Sequence, residues 1–463
     1  MTLSAARPAA PLRRPVWVLH VLVVGLALHN LVMAELWDAG VRGGALDVLS
    51  SWKEALLVLA LLAVWVPGWR TFRVRAVDVV ALVYAAVVVV WSVLPQSWLG
   101  GEATHRGVVL GARHDLVPVG AYLLGRGLAL SERELRTLGA TILATAAGVA
   151  AFGLIDIYAI PLSWWRHSGA PGWFHDQLGF DYRGLSHLPE NFVYNTGNER
   201  PLRRLVSTFL SPLASSYLLV VALLLAVAWL VRRRPPLLLW TPLAALLLAG
   251  LLWTHSRSSY VALVAGLVLF ALVRRSSAPA LLASAAVVLV TSLLFVKAYT
   301  HIAPTTSFTP SELAYQRNHA HAAAGGGASA GSGFSDASTS SHWRSLRSGV
   351  STVVHHPQGF GVGNAGSTAA RTGAKVEAGE STYTELGVDA GLVGALLFAV
   401  WSVALVRVVL PCVAWVGAAL AAVLLLALQT DVLGVPWLAY VVWALAGSVV
   451  SAAATRPLRT RPS

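Results

Sequence analysis

The sequence predicts an all-α polytopic membrane protein of about twelve transmembrane helices, and three observations lead there. First, 56% of the 463 residues are hydrophobic and only 12% are charged, against roughly 25% charged in a soluble domain. Second, mean hydropathy is +0.66, and the apolar residues come in runs of the length that crosses a bilayer as a helix. Third, short Arg clusters separate the runs. No single water-soluble core could bury so much apolar chain, so lipid must be the solvent for much of it.

The chain opens with Arg7, Arg13 and Arg14 before an apolar run from Val16. A secretory signal has a similar front, but this run continues to about Ala34 with no small-residue cleavage site after it, which predicts a retained first helix. Candidate spans are 16–35, 50–67, 77–94, 108–125, 138–158, 205–230, 237–253, 259–273, 279–297, 387–406, 412–430 and 434–453. The second begins near Lys53 and Glu54, and the fourth carries Arg113, His114 and Asp115.

Charge sets the expected orientation. With the N-terminus in the cytoplasm, the inner segments carry Arg70, Arg73 and Arg75; Arg126, Arg133 and Arg136; Arg232 to Arg234; Arg274 and Arg275; Arg407; and Arg456, Arg459 and Arg461. That is the positive-inside pattern with both termini cytoplasmic, as in an inner (plasma) membrane protein. The same pattern accounts for the net charge of +13 as topology signals and anionic-lipid contacts, and argues against nucleic acid as a partner. A single cysteine, Cys412, excludes an internal disulfide.

The expected organisation is a membrane domain over 1–297, a large extracytoplasmic loop over 298–386 between helices nine and ten, and helices ten to twelve with a tail over 387–463. A second outer segment, 159–204, holds Trp164, Trp165, Trp173, Phe174, Tyr182 and Tyr194. These aromatics suit stacking on sugar rings, and equally an interfacial belt. In the large loop, Ala322 to Ser341 is rich in Gly, Ala and Ser and reads as flexible, while the part from His342 reads as helix.

Ionisable groups near membrane helices are rarely without purpose. At the outer face the candidates are Lys53, Arg113, His114, Asp115, Arg203, Arg204, Arg257, Arg344, Arg347 and Glu380. Arg257 sits in the turn Thr254-His255-Ser256-Arg257, against the positive-inside preference; it is either a snorkelling cation or an anion ligand. Arg203 and Arg204 open the sixth span, where a guanidinium fork suits a diphosphate or anchors the interface. The glycines of His356-Pro357-Gln358-Gly359-Phe360-Gly361 imply a tight turn with close backbone approach. Asn318-His319-Ala320-His321 has no evident carboxylate partners for a metal, and a Walker-type phosphate loop is absent.

Four pieces together resemble the O-antigen ligase/polymerase family. They are the Arg-x-x-small-Thr-Phe-x-x-Pro run at Arg204, the Thr-x-Ser-Arg turn at Arg257, the His-Pro-x-Gly-x-Gly turn at 356–361, and the stretch from Glu380 through Tyr383 to Gly394. The resemblance implies a GT-C-like membrane glycosyltransferase without metal or cofactor. Its members move a glycan from undecaprenyl diphosphate to a glycan or lipid-glycan acceptor at the outer membrane face, as polymerase or ligase. It places Arg204 and Arg257 on the departing diphosphate, whose charge grows as the bond breaks. Arg203, Arg113, Arg344, Arg347, His356 and Tyr383 are then substrate contacts. Glu380 stands where many ligases carry His; a carboxylate with an ordinary pKa near 4.3 is ionised at neutral pH and suits the proton-accepting role. The contrasting reading is a transporter or flippase of a lipid-linked glycan or small anion, which would favour midplane charges and repeats.

Overall fold

The computed structural model describes residues 14–68, 72–195, 199–233, 237–324 and 337–455. Most of the Gly/Ala/Ser-rich run 322–341 expected to be flexible lies outside the described residues, as do Arg7, Arg13, Arg70, Arg234, Arg456, Arg459, Arg461 and the side chains of His319 and His321. The first nine helices are α1 Trp17–Asp38, α2 Gly44–Ser50, α3 Trp52–Gly68, α4 Ala76–Val93, α5 Gln96–Leu99, α6 His105–Leu128, α7 Glu132–Ala159, α8 Leu162–His167 and α9 Ala170–Gly172. After a two-stranded antiparallel hairpin, β1 Val193–Tyr194 and β2 Leu202–Arg203, come α10 Pro212–Arg233, α11 Leu237–Trp253, α12 Arg257–Val273 and α13 Ala278–Ile302. The chain continues through α14 Pro310–Ala324, α15 Ala337–His355, α16 Gly366–Thr372, α17 Thr382–Cys412, α18 Ala414–Leu426 and α19 Trp443–Thr455.

Every apolar stretch read from the sequence overlaps one of these helices, although 205–211 and 434–442 lie outside them. Six are long and apolar enough to cross a bilayer: α1, α4, α7, α10, α13 and α17. A seventh is the α2–α3 pair, bent by 44°, and four shorter apolar helices pack among them. At 24 residues α6 has the length to cross, but Arg113, His114 and Asp115 interrupt its apolar surface.

One boundary differs from expectation. Arg203 and Arg204 do not open a helix; α10 starts at Pro212. Ser207 and Leu210 hold left-handed φ values of 51° and 52°, outside the range of a right-handed α-helix. Their segment is tied sideways instead: Ser207 Oγ donates to the Val149 carbonyl and Thr208 Oγ1 to the Ala27 carbonyl, both at 2.7 Å. The hydroxyls thereby clamp the run to α7 and α1.

Helix crossings rest on small residues. A Cβ at Gly125 would lie 1.9 Å from the Ala444 carbonyl oxygen, and one at Gly447 2.1 Å from that of Tyr122. So the α6 and α19 backbones touch. Beside this crossing Arg126 forks onto Asp78, with both N–H···O contacts at 2.8 Å, and donates to Ser451 Oγ at 2.6 Å. Asp78 is fully buried and the Arg126 side chain is 4% exposed. One buried charge without its partner costs about 3–5 kcal/mol. Arg126→Ala should therefore lower unfolding stability in detergent by that order, whereas Arg136→Ala, in an exposed pair on α7, should change it by less than about 1 kcal/mol.

The glycine turn of 356–361 also finds its purpose in packing. Helix α17 is broken at Ala390–Gly391, and the turn fills the break. Phe360 N–H donates to the Val388 carbonyl at 2.7 Å, and Leu392 N–H to that of Pro357 at 2.8 Å. Gly359 and Gly391 face each other, and a Cβ on Gly359 would meet the Gly391 nitrogen at 2.6 Å. The close approach expected of these glycines is to the protein's own backbone.

Candidate functional site

Aromatic residues of the segment 159–204 build one wall of a cavity. Trp165, Trp173, Leu188 and Phe192 are buried with Met33, Ala34 and Leu46 over the ends of α1 and α2. Trp164, 46% exposed, keeps the character of a belt residue. From the packed wall Trp173, Phe174, Phe180 and Tyr182 reach a cavity of about 730 Å³.

Cations from three helices line the same space: Lys53 of α3, Arg106 and Arg113 of α6, and Arg371 of α16. Asp47, Glu54 and Asp431 are its carboxylates. Glu54 is shared, 3.6 Å from both Lys53 Nζ and Arg113 Nη1. Arg371 is held by its Nε donating to the Leu178 carbonyl at 2.9 Å, with its guanidinium 5.3 Å from the Phe180 ring centre. Burial first, and then Arg113 and Arg106, push the Arg371 guanidinium down to about 10. It stays protonated at neutral pH, but among its own kind. An anion placed there would relieve this repulsion.

Beside the cavity lies a hydrogen-bonded acid–imidazole set. His114 stands between two carboxylates, 2.7 Å from Asp115 Oδ1 by Nδ1 and 2.9 Å from Asp431 Oδ2 by Nε2. Asp431 belongs to the turn between α18 and α19, where its Oδ1 also accepts the Leu433 N–H at 3.0 Å. Burial works to raise its pKa, but His114 and the backbone N–H groups outweigh that and hold it below the ordinary carboxylate value. His114, Glu385 and Asp431 bring ligand atoms within 4.8 Å of one another, and so do His175, Asp181 and His187. Both sets have the donor chemistry of a divalent-cation site, but in the first both imidazole nitrogens are already engaged by carboxylates.

The residues expected from the sequence fall in several places. Arg113 lines the cavity. Arg204 and Arg257 come together at the hairpin: Arg204 Nε donates to the Thr254 carbonyl at 3.0 Å, and Arg257 Nη2 to Tyr194 Oη at 3.3 Å. Burial, in the main, lowers the Arg204 pKa, and the Arg257 charge adds to this. Arg203 points the other way, into a buried pair with Asp156 at 3.0 Å. Asp156 also takes the Trp165 indole N–H at 2.6 Å, so Arg203 is committed to holding the hairpin on α7.

Glu380 is exposed, at a left-handed φ of 68°, two residues before α17 begins. Tyr383 is turned to the core, its hydroxyl donating to the Leu424 carbonyl at 3.3 Å. Arg344, Arg347 and His356 line a separate cleft of about 560 Å³. Neither Arg204, Arg257 nor Glu380 is among the residues lining the large cavity. A strip of contacts connects the hairpin end to it, however. Leu210 and Ser211, from the run that begins at Arg204, line the cavity. Tyr217 Oη lies 2.7 Å from Thr430 Oγ1, and Thr382 Oγ1 donates to the Thr430 carbonyl at 3.2 Å, next to Asp431.

Residues 242–399 match the family model described as O-antigen ligase. The resemblance drawn from the motifs is thus borne out, and the matched stretch holds Arg257, Arg344, Arg347, His356, Arg371, Glu380 and Tyr383. No curated protein matches the chain.

The cavity's charge gives a direct expectation. A polyvalent anion such as pyrophosphate should raise the thermal stability of the purified protein, by about 2.7 kcal/mol at a hundredfold excess over its dissociation constant. Arg371→Gln and Arg113→Gln should each remove most of that rise. An undiminished rise in both variants would place the anion elsewhere.

Proposed function

We propose that this O-antigen ligase family protein transfers a glycan from a polyprenyl diphosphate, undecaprenyl diphosphate in bacteria, to an acceptor hydroxyl at the outer membrane face. The reading rests on one observation above the others: Lys53, Arg106, Arg113 and Arg371 surround a single cavity that also presents Trp173, Phe174, Phe180 and Tyr182. Guanidinium forks and an ammonium suit a diphosphate, and aromatic faces suit sugar rings.

In this reading the donor's diphosphate lies among the four cations. As the glycosidic bond breaks, negative charge gathers on the leaving oxygen, and fixed positive charges already in place favour that state without reorganising. Arg204, bonded to the Thr254 carbonyl, and Arg257, bonded to Tyr194 Oη, add to the positive field from the side. The acceptor hydroxyl gives up its proton as it attacks. Glu380 is the proton acceptor that the family motif suggests; Asp431, ionised and facing the cavity, is a second carboxylate with that capacity.

The twelve apolar stretches then serve as twelve crossings with both termini in the cytoplasm, and the chain is a polytopic plasma-membrane protein of GT-C-like type. A cleft lined by Arg14, Arg136, Arg232 and Arg274 would mark the cytoplasmic side.

Reconstitution tests the reading. Proteoliposomes given a polyprenyl-diphosphate glycan and an acceptor glycan should release polyprenyl diphosphate and form a longer product. Arg113→Ala and Arg371→Ala should each slow product formation by about 10²–10³-fold, the usual loss for one such donor. Arg204→Ala and Arg257→Ala should slow it as well. Glu380→Gln against Asp431→Asn identifies the proton acceptor, because only the variant at the true base should lose turnover while still binding donor. Movement of the lipid-linked glycan across the bilayer without any product would instead establish the flippase reading.

A further inference from the structure

Helix α15 has three faces, and one of them is largely exposed among the described residues. Its packed face carries Gly349 and Val353. A Cβ at Gly349 would touch Thr384 at 2.9 Å, and Val353, 7% exposed, seats where Gly387 of α17 leaves room. A polar face carries Arg344, Arg347, Ser351 and His355, which line the 560 Å³ cleft together with Glu377. Between the two, at the spacing of 3.6 residues per turn, lie Trp343, Val350 and Val354, which are 64%, 49% and 63% exposed.

The position of this bare edge matters more than its exposure. The chain leaving α15 is bonded to membrane helices below their outer ends. Trp91 of α4 donates its indole N–H to the Gln358 carbonyl at 2.7 Å, and the turn fills the break at Ala390–Gly391, more than two turns into α17. Nearby, the outward residues of these two helices are apolar: Val89, Val90 and Val93 on α4, and Val393 and Leu396 on α17, all 45–75% exposed. Val354 stands only four residues before Gln358, so the apolar edge of α15 ends close to that surface. A helix bearing Trp and Val on one side and two Arg on the next has the composition of an interfacial helix.

We infer that the last turns of α15 lie in the lipid leaflet at the cavity end, with Val350 and Val354 among acyl chains and Arg344 and Arg347 binding the phosphate of an anionic lipid headgroup. This rests only on the chain being membrane-embedded, and holds whatever reaction the large cavity performs. Arg344, Arg347 and His356 then serve the bilayer rather than the donor, and anchor the turn that fills the α17 break.

The test uses the full chain in nanodiscs. Cys412→Ser removes the native thiol, a single cysteine then replaces Val350 or Val354, and each carries an environment-sensitive nitrobenzoxadiazole label; the Cys412→Ser chain treated with the same reagent is the control. Both labels should emit blue-shifted from their water value and be quenched by lipids spin-labelled high on the acyl chain. Water-like emission, quenched by iodide and not by spin-labelled lipid, would overturn the inference, and so would shielding from both, which would mean a protein partner covers the edge. In mixed phosphatidylglycerol–phosphatidylcholine nanodiscs, native mass spectrometry should find phosphatidylglycerol retained preferentially. Arg344→Gln with Arg347→Gln should weaken that preference, roughly fivefold per arginine. Competition by inorganic phosphate at equal strength, or an unchanged preference in the double variant, would remove the headgroup assignment.

Discussion

A charge carried into lipid or a protein interior must be neutralised, and this one constraint orders the molecule. Where the chain commits a charge to structure, the partner is close. Asp78 holds Arg126, Asp156 holds Arg203, and His114 sits between Asp115 and Asp431. The cavity wall departs from this pattern. Lys53 and Arg113 share one carboxylate, and Arg371 is depressed by burial first and then by neighbours of its own sign. Cations drawn from separate helices to one space make that space a candidate anion site.

The rest of the architecture can be understood as holding that crowd in place. Helix α6 supplies Arg106 and Arg113 and is pinned against α19 through Gly125 and Gly447, where the backbones touch. The α2–α3 pair brings Lys53. The segment between α13 and α17 contributes α16, and with it Arg371, and the turn at 356–364 just before α16 is locked into the α17 break. There Asp389 accepts the N–H groups of Gly363 and Asn364 at 3.2 and 3.1 Å, and Asn364 Nδ2 donates to Gln96 Oε1 at 2.7 Å. Elements distant in sequence thus converge through glycines and buried polar bonds rather than through helix propensity.

Much of this was legible in the sequence, for a clear reason. In lipid, hydropathy and span length are nearly the same information, so every apolar run overlapped a helix, with 205–211 and 434–442 left outside. Arg113 stood out because a cation in an apolar run violates that rule. Lys53 was visible for the same reason, and Asp431, a lone carboxylate in the turn between two apolar runs, carried the same signal but went unassigned. Arg371 carried none, because a polar loop hides a single Arg among many. The hairpin at 193–203 was hidden too, since its two-residue strands are shorter than any periodicity. Arg203 and Arg204 illustrate the limit of residue type alone: adjacent in sequence, one is buried in a structural pair and the other faces Thr254.

The account turns on where the diphosphate sits. A cryo-EM map of the protein with a bound polyprenyl diphosphate tests this most directly. The account predicts phosphorus density inside the large cavity, within hydrogen-bond reach of Arg113 and Arg371, with the lipid tail leaving toward the bilayer. Density seated instead against Arg344 and Arg347, or on the lipid-facing surface with the cavity cations unoccupied, would contradict it.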